Sequence, residues 1–230
     1  MKLQNFFLIF AVLFSFQICF GQEKSKAELY LDMGYNPCDT TKGFIDGLYA
    51  ELGYDSKLKA LIVIYGEQND PLRNYKYESL MKDIIANFRK YDIGRVSFVR
   101  AKSEKNLRVQ FWLIPSEAEK PTFSEENWDY ILPVATKPFT FYQDNWRAEW
   151  CETTFDAELY SKLLLNNPNL RGNIVIREKS VAEFRQIRKK LSDELTKNYR
   201  VPLNRLKFSY AKSNKTKLVE YWLVPVKKKQ

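Results

Sequence analysis

Residues 95–115 read RVSFVRAKSEKNLRVQFWLIP, and residues 205–225 read RLKFSYAKSNKTKLVEYWLVP. The two stretches are identical at 10 of 21 positions without a gap. The shared residues include Arg95/Arg205, the Ala-Lys-Ser triplets that begin at Ala101 and Ala211, Trp112/Trp222 and Pro115/Pro225. So much identity at one constant spacing indicates an internal duplication. We therefore expect two copies of one structural unit.

The same duplication continues upstream of these stretches. Each copy has a short apolar run typical of a buried strand, at 60–66 and 173–178. Each run is followed by apolar residues at helical spacing, at 77–91 and 181–195. Ser180 and Glu183 at the start of the second of these helices predict a capping box.

A further helix is predicted before each apolar strand. CDTT at 38–41 and CETT at 151–154 are each followed by the pattern Phe-x-x-x-Leu-Tyr-x-x-Leu, which is one face of a helix. Asp39 or Thr40, and Glu152 or Thr153, are expected to supply the N-cap oxygens. Alternating apolar residues at 27–35 and 138–146 predict one more strand at the start of each copy.

These elements predict an α+β fold of two tandem βαβαββ repeats, each a mixed sheet covered by helices. The last two strands of each repeat are expected to form a hairpin through residues 102–105 or 212–215. We expect a first repeat at 22–115, an acidic linker with prolines at 116–137, and a second repeat at 138–230. Trp128, Tyr130 and Leu132 should pack the linker onto a domain surface.

The N-terminus predicts export. Met1 and Lys2 precede an apolar run at 6–16, which is too short for a transmembrane helix and typical of a signal peptide. Cleavage is expected after Gly21, which predicts a periplasmic or secreted protein with no membrane span after cleavage. Association with the outer membrane is one option for such a protein. An uncleaved anchor is the alternative.

Cys38 and Cys151 then form an even pair in an oxidising compartment and predict a disulfide, with two buried free thiols as the alternative.

The charge of +9 is unevenly distributed along the chain. Residues 22–115 carry 15 basic and 13 acidic side chains, residues 116–150 carry 3 and 7, and residues 151–230 carry 18 and 8. The basic residues Arg185, Arg188 and Lys189 fall on one predicted helix. Such a cluster favours nucleic acid in a cytoplasmic protein, but in an exported protein it favours an anionic envelope polymer, a lipid head group or an acidic protein, so no nucleic acid is expected. A plain solvated face is the alternative.

The absence of histidine from all 230 residues argues against an enzyme. Histidine is the commonest general base and metal ligand, and no glycine-rich phosphate loop or zinc-like cysteine spacing replaces it. Pairs such as Glu67 with Asp70, or Glu125 with Glu126, are interpreted as solvated loop charges. We expect no cofactor, no metal and no catalytic residue. Trp112 and Trp222 fit core packing or, if exposed, a platform for stacking sugars.

A repeat of this order, exported and about 90 residues long, resembles the OmpA-like peptidoglycan-associated domain, and the resemblance covers nearly all of the chain after the signal peptide as two copies. In that family, an Asp after the second strand and a helix Arg hold the diaminopimelate of peptidoglycan. Here GEQND at 66–70 places Asp70 one position late, and Asn106 and Arg108 match the start of the family's last strand. Arg185 and Arg188 lie on the helix that corresponds to the one bearing the family's Arg. The resemblance implies Asp70, Asn106, Arg108, Arg185 and Arg188 as candidate ligand-binding residues, and the basic cluster adds Lys189.

These patterns together predict a non-catalytic binding or scaffolding protein of the cell envelope. The expected partner is peptidoglycan or another anionic envelope polymer. The alternatives are a protein-protein adaptor whose edge strands pair with a partner, and a carboxylate-based hydrolase acting on an envelope polymer.

Overall fold

A computed structural model describes residues 25–145, 155–214 and 217–226. The predicted signal peptide at 1–21 lies outside the described residues. None of the helices in the described ranges is long and apolar enough to cross a membrane.

The described chain folds into two α+β units of the same element order. The first contains β1 (Glu28–Gly34), α1 (Cys38–Tyr54), β2 (Lys59–Glu67), α2 (Pro71–Asp83), β3 (Val96–Glu104) and β4 (Arg108–Ile114). The second contains β5 (Phe139–Asn145), α3 (Ala157–Asn166), β6 (Leu170–Glu178), α4 (Val181–Asp193), β7 (Leu206–Lys212) and β8 (Leu218–Pro225). The predicted fold class is confirmed.

The two sheets have identical topology, with strand orders β1-β4-β2-β3 and β5-β8-β6-β7. In each sheet the second strand pairs in parallel with the third and antiparallel with the fourth. The predicted hairpins are therefore wrong, because β2 lies between β3 and β4, and β6 between β7 and β8. Residues 60–64 of β2 are buried, and β2 pairs with a strand on each of its two edges. The more polar β3 takes the edge position.

Several small irregularities occur at the same place in both repeats. A bulge interrupts β1 between Leu29 and Leu31, and β5 between Thr140 and Tyr142. Both α2 and α4 continue into a π turn, at Ile84–Phe88 and Glu194–Asn198. Lys90 and Arg200 then reverse the chain with φ of 56° and 59°. Because a non-glycine residue with positive φ is uncommon, its presence at the same place in both repeats supports a duplication.

Arg95 and Arg205 explain why the duplicated stretch begins with arginine. The Arg95 guanidinium donates to the carbonyls of Leu52 in the last turn of α1 and of Asp55 and Leu58 between α1 and β2. The Arg205 guanidinium donates to the carbonyls of Asn167, just after α3, and of Leu170, at the start of β6. Carbonyls at a helix C-terminus have no partner within the helix, so a half-buried arginine replaces the missing donors.

The helix caps differ in part from the prediction. The capping box of α4 is confirmed, with the Glu183 amide donating to the Ser180 hydroxyl and the Ser180 amide to the Glu183 carboxylate, each at 3.2 Å. The N-cap of α1 is Pro37, so Asp39 and Thr40 lie within the first turn. The N-cap of α3 is Asp156, whose carboxylate accepts from the Leu159 amide, so Glu152 and Thr153 are not its N-cap.

The main hydrophobic core runs continuously through both repeats between the helices and one face of each sheet. Ile45, Leu48 and Leu52 of α1 pack against this face together with Ile62 and Ile64 of β2. A smaller cluster lies on the opposite face of the first sheet, where Leu61, Val63, Ala101 and Ile114 are covered by Trp112 and Phe123. The linker therefore closes the outer face of the first sheet.

Candidate functional site

Helix α2 packs against the linker through a stripe of aromatic and charged side chains. The Tyr75 ring lies 5.7 Å from that of Trp128 and 4.9 Å from that of Tyr130. The Trp128 and Tyr75 side chains are buried. The expectation that the linker packs onto a domain surface is confirmed at Trp128, Tyr130 and Leu132. Trp146 and Trp150 lie outside the described residues.

A buried ion pair holds the centre of this contact. The Arg100 Nε donates to Glu78 at 2.8 Å, and an Arg100 Nη donates to the Tyr130 hydroxyl at 2.7 Å. Lys82 adds a second cation to Glu78. Burial acts to raise the pKa of Glu78, but the hydrogen bonds from Arg100 and Lys82 outweigh it and hold this pKa below its ordinary value. Glu78 is therefore ionised in the folded protein at neutral pH.

Helix α4 carries three cations where α2 has one carboxylate and two neutral residues. At the spacing of 110 residues, Tyr75, Glu78 and Ser79 of α2 correspond to Arg185, Arg188 and Lys189 of α4. All three of these α4 side chains are exposed. Among the described residues no carboxylate lies within 4 Å of their charged nitrogens. Arg188 stacks over the Phe208 ring at 5.9 Å, which keeps its guanidinium along the surface.

We call the α4 surface formed by Arg185, Arg188 and Lys189 the basic face. It occupies the place that, in the first repeat, is covered by the linker. Unpaired exposed cations gathered on one helix attract anions over long range. The sequence found these three residues by their density, and the structure shows that they share one exposed surface.

The other predicted ligand-binding residues are engaged with internal partners. The Asp70 carboxylate caps α2 by accepting from the Arg73 amide at 3.0 Å, and the Arg73 guanidinium lies 3.4 Å from Asp70 and 2.7 Å from Glu67. Asn106 is exposed in the turn between β3 and β4. Within the described ranges, no hydrogen bond or ion pair joins Asp70 to Arg108. The structure therefore does not bring Asp70 and Arg108 into one shared contact.

Arg108 is held by two carboxylates of its own sheet. Its guanidinium donates to both oxygens of Asp32 and, at 3.3 Å, to Glu104. The hydrogen bond to Asp32 raises the pKa of Arg108, and the same bond lowers the pKa of Asp32. In the second repeat the position of Arg108 is taken by Leu218, which pairs with Arg177 in the ladder. A ligand that needs this arginine would have to displace two carboxylates.

A cleft of about 810 Å³ separates α2 from the second repeat. Lys76 reaches across the cleft to donate to the Phe141 carbonyl, and the Ser79 hydroxyl donates to the Asp156 carboxylate. Burial lowers the pKa of Lys76. Both polar groups thus connect the two repeats. Sequence reasoning did not single out Lys76, Glu78 or Arg100, because a charged residue within an amphipathic helix or strand gives no sign of its burial.

The cysteines and tryptophans have the following places in the structure. Cys38 opens α1 and is half-buried. It is the only cysteine among the described residues, so the predicted pairing with Cys151 lies outside them and stays a prediction.

Trp112 is half-buried against the Phe123 ring, 6.0 Å away, in agreement with core packing. Trp222 is half-buried and donates from its indole to Glu220 at 3.0 Å.

Comparison with known proteins does not assign the chain to a family. No protein-family model matches it, and no curated protein matches it at a significant level. The function must therefore be argued from the geometry of the chain itself.

Proposed function

We propose that this protein is a non-catalytic binding or scaffolding module of the bacterial cell envelope, in which the basic face of α4 binds an anionic polymer such as peptidoglycan. One observation carries the proposal. Arg185, Arg188 and Lys189 are exposed together without a carboxylate neighbour among the described residues, where the first repeat has a buried contact.

The distribution of charge supports the same surface. The predicted linker region is acidic, whereas residues 151–230 carry 18 basic and 8 acidic side chains. Clustered cations raise the local concentration of an anionic partner by long-range attraction. The screening length is about 10 Å at 0.1 M salt, so attachment of this kind weakens steeply as salt rises.

The geometry favours this electrostatic mode over a diaminopimelate site of the OmpA-like type. Asp70 is engaged in capping α2, and Arg108 is held by Asp32 and Glu104. Both residues would have to exchange internal partners for a ligand. The basic face requires no such exchange.

The proposal is tested by co-sedimentation with purified cell-wall sacculi over a salt series. A variant with Arg185, Arg188 and Lys189 changed to Gln should lose most binding, whereas a variant with Asp70 and Arg108 changed to Ala should retain it. Changing the exposed Lys57, Lys59 and Lys105 to Gln removes equal charge from the first repeat and serves as the matched control. Binding that is insensitive to salt and lost only in the Asp70/Arg108 variant would overturn the proposal.

A further inference from the structure

The edge of the first sheet is covered by a short acidic segment of the linker, residues 123–126, whose sequence is Phe-Ser-Glu-Glu. Glu125 forms an antiparallel bridge with Ala101 of the edge strand β3. The Lys102 amide donates to the Ser124 carbonyl at 2.7 Å, and the Glu126 amide donates to the Arg100 carbonyl at 2.9 Å. The segment therefore extends the sheet by strand addition.

Side chains of the segment add two further contacts. The Phe123 ring packs edge-on against Trp112, with ring centres 6.0 Å apart, on the outer face of the sheet. The Glu126 carboxylate accepts from the amide and the hydroxyl of Ser103, at 2.7 Å and 2.6 Å. A ligand of this edge thus consists of an extended backbone, one aromatic anchor and one carboxylate.

The second sheet repeats this edge. Strand β7 corresponds to β3 and lies at the end of the strand order, with β6 as its one neighbour among the described residues. The triplet that binds the linker in β3, Ala101-Lys102-Ser103, recurs as Ala211-Lys212-Ser213, but the Ser213 amide donates to the Glu178 carbonyl at 3.0 Å, so the correspondence of the two edges ends at Lys212. In the same register, Trp222 corresponds to Trp112. No segment in the described ranges forms a bridge with β7.

We infer that the edge of β7 binds an acidic, extended segment of a partner protein by strand addition, as β3 binds residues 123–126. The outward-facing Tyr210 carbonyl and Lys212 amide, which correspond to those of Arg100 and Lys102, pair with the partner backbone. Trp222 receives an apolar side chain. An exposed edge strand is a template for such pairing.

Charge selects an acidic partner. Lys207 and Lys212 are exposed on β7, and the residues from 151 onward carry the positive excess of the chain. The segment that occupies β3 already has the matching composition, because Glu125 and Glu126 follow its aromatic anchor. This segment is tied to its own sheet by the burial of Trp128, two residues beyond it. Since no other segment among the described residues covers β7, we assign the covering strand to another polypeptide.

Amide hydrogen exchange of the full chain gives a direct first test. The Lys102 amide is bonded to the linker and should exchange slowly, whereas the corresponding Lys212 amide should exchange fast. If part of the protein's own chain covered β7, or if a second copy did, the Lys212 amide would be protected in the free protein. Equal protection of Lys102 and Lys212 would overturn the inference.

Binding is tested with a fluorescent peptide of residues 119–130, EKPTFSEENWDY, as the probe. We expect one peptide to bind per chain and to slow exchange at the Lys212 amide. A peptide with Pro at the position of Glu126 lacks the amide that pairs with the strand and should bind about tenfold more weakly than one with Gln there, since each net hydrogen bond is worth up to about a factor of ten. Saturable binding of the peptide that leaves the amide exchange of β7 unchanged would overturn the inference.

Matched protein variants separate backbone pairing from charge. Lys212→Pro and Lys212→Gln remove the same charge, but only the proline removes the edge amide, which an edge strand tolerates when the amide faces outward. Lys212→Pro should therefore bind the peptide about tenfold more weakly than Lys212→Gln. Should the proline variant fail to fold, the two peptides provide the same comparison on the unmodified protein. Equal affinities in these pairs would contradict strand addition.

This inference is independent of the proposed polymer binding. Gln substitutions at Arg185, Arg188 and Lys189 should abolish sacculus binding while peptide-dependent protection at Lys212 persists. Lys212→Pro should weaken peptide binding while sacculus binding is unchanged. Failure of one test therefore leaves the other interpretation intact.

Discussion

The Arg205 guanidinium donates a hydrogen bond of 2.7 Å to the carbonyl of Asn167, and the Asn167 side chain in turn holds the linker. The Asn167 amide donates to the Tyr130 carbonyl at 2.8 Å, and its oxygen accepts from the Leu132 amide at 2.8 Å. One residue after α3 thus joins the end of this helix, the linker and the start of the duplicated stretch. Four predictions follow from this and related contacts, and a fifth concerns the cysteines.

Asn167→Ala should lower the free energy of unfolding by about 2–3 kcal/mol, because Asn167 is buried and its loss leaves linker groups without partners. The measurement is chemical denaturation of the full chain. The neighbouring Asn166 is exposed, and among the described residues its side chain bonds only to the Lys162 carbonyl, so Asn166→Ala should change stability by less than about 0.5 kcal/mol. Equal effects at both positions would show that the linker contacts add nothing.

Arg95→Lys and Arg205→Lys should each destabilise the protein by about 1–2 kcal/mol. An ammonium group on a lysine cannot present the planar set of donors that reaches several carbonyls at once. The exposed Arg171→Lys is the matched control and should be neutral. If only one of the two half-buried arginines proved sensitive, the proposal that Arg95 and Arg205 share one structural role would be wrong.

Glu78→Gln should destabilise the protein by about 2–4 kcal/mol at neutral pH, because it leaves Arg100 without its charge partner in a partly buried site. The folded-state pKa of Glu78 lies below its unfolded value, so the stabilisation is complete above that unfolded value and is lost as pH falls through the folded pKa. The stability difference between wild type and Glu78→Gln should therefore shrink under acidic conditions.

The matched control for this ion pair is Glu158→Gln. Glu158 pairs with Lys162 on the surface of α3, where solvent screens the interaction, so the expected change is below about 0.5 kcal/mol. A Glu78→Gln effect that stayed constant between pH 3 and pH 7 would exclude an ionised Glu78 as its cause.

Gly172→Ala should destabilise the second repeat by about 1–3 kcal/mol through overpacking. A Cβ at this position would lie 2.5 Å from the Tyr160 hydroxyl, which donates to the Trp222 carbonyl, and 3.1 Å from Leu206. The corresponding residue of the first repeat, by strand register, is Ala60. Tyr160→Phe combined with Gly172→Ala should be less destabilising than the sum of the two single changes, which thermal denaturation can measure.

Thiol labelling of unfolded, unreduced protein should detect neither Cys38 nor Cys151 if the predicted disulfide is present. Reduction before labelling should expose both thiols and lower the melting temperature, because the bond restricts the unfolded chain. A Cys38→Ser/Cys151→Ser variant should melt at the temperature of the reduced protein. Modification of Cys151 without reduction would exclude the pairing.

The duplication allowed the element order and the fold class to be predicted from the sequence. Each strand and helix has an apolar period of its own, and the second copy confirms the pattern of the first. Strand pairing could not be read in the same way. The turn between β3 and β4 is short enough for a hairpin, and only the pairing of β2 with both strands in the folded sheet places β2 between them.

The residues of the candidate site also differ in how far the sequence alone could predict their roles. Charge density alone identified Arg185, Arg188 and Lys189, since exposed residues show their chemistry directly in the sequence. The roles of Asp70 and Arg108 depended on the neighbours that the fold supplies: a helix N-terminus for Asp70, and Asp32 from a distant strand for Arg108. Asp32 and Arg108 are 76 residues apart in the chain, so no local pattern connects them.

The sequence by itself determined that this protein is built twice from one βαβαββ unit and that its second half carries the positive charge. Those properties depend on local periodicity and composition, which the order of residues contains directly. Only the tertiary structure decided that the linker covers the first sheet and its edge, while β7 and the basic face of α4 have no such cover among the described residues. Burial and strand pairing arise from contacts between distant parts of the chain, and two stretches of similar sequence therefore differ in what remains open to a partner.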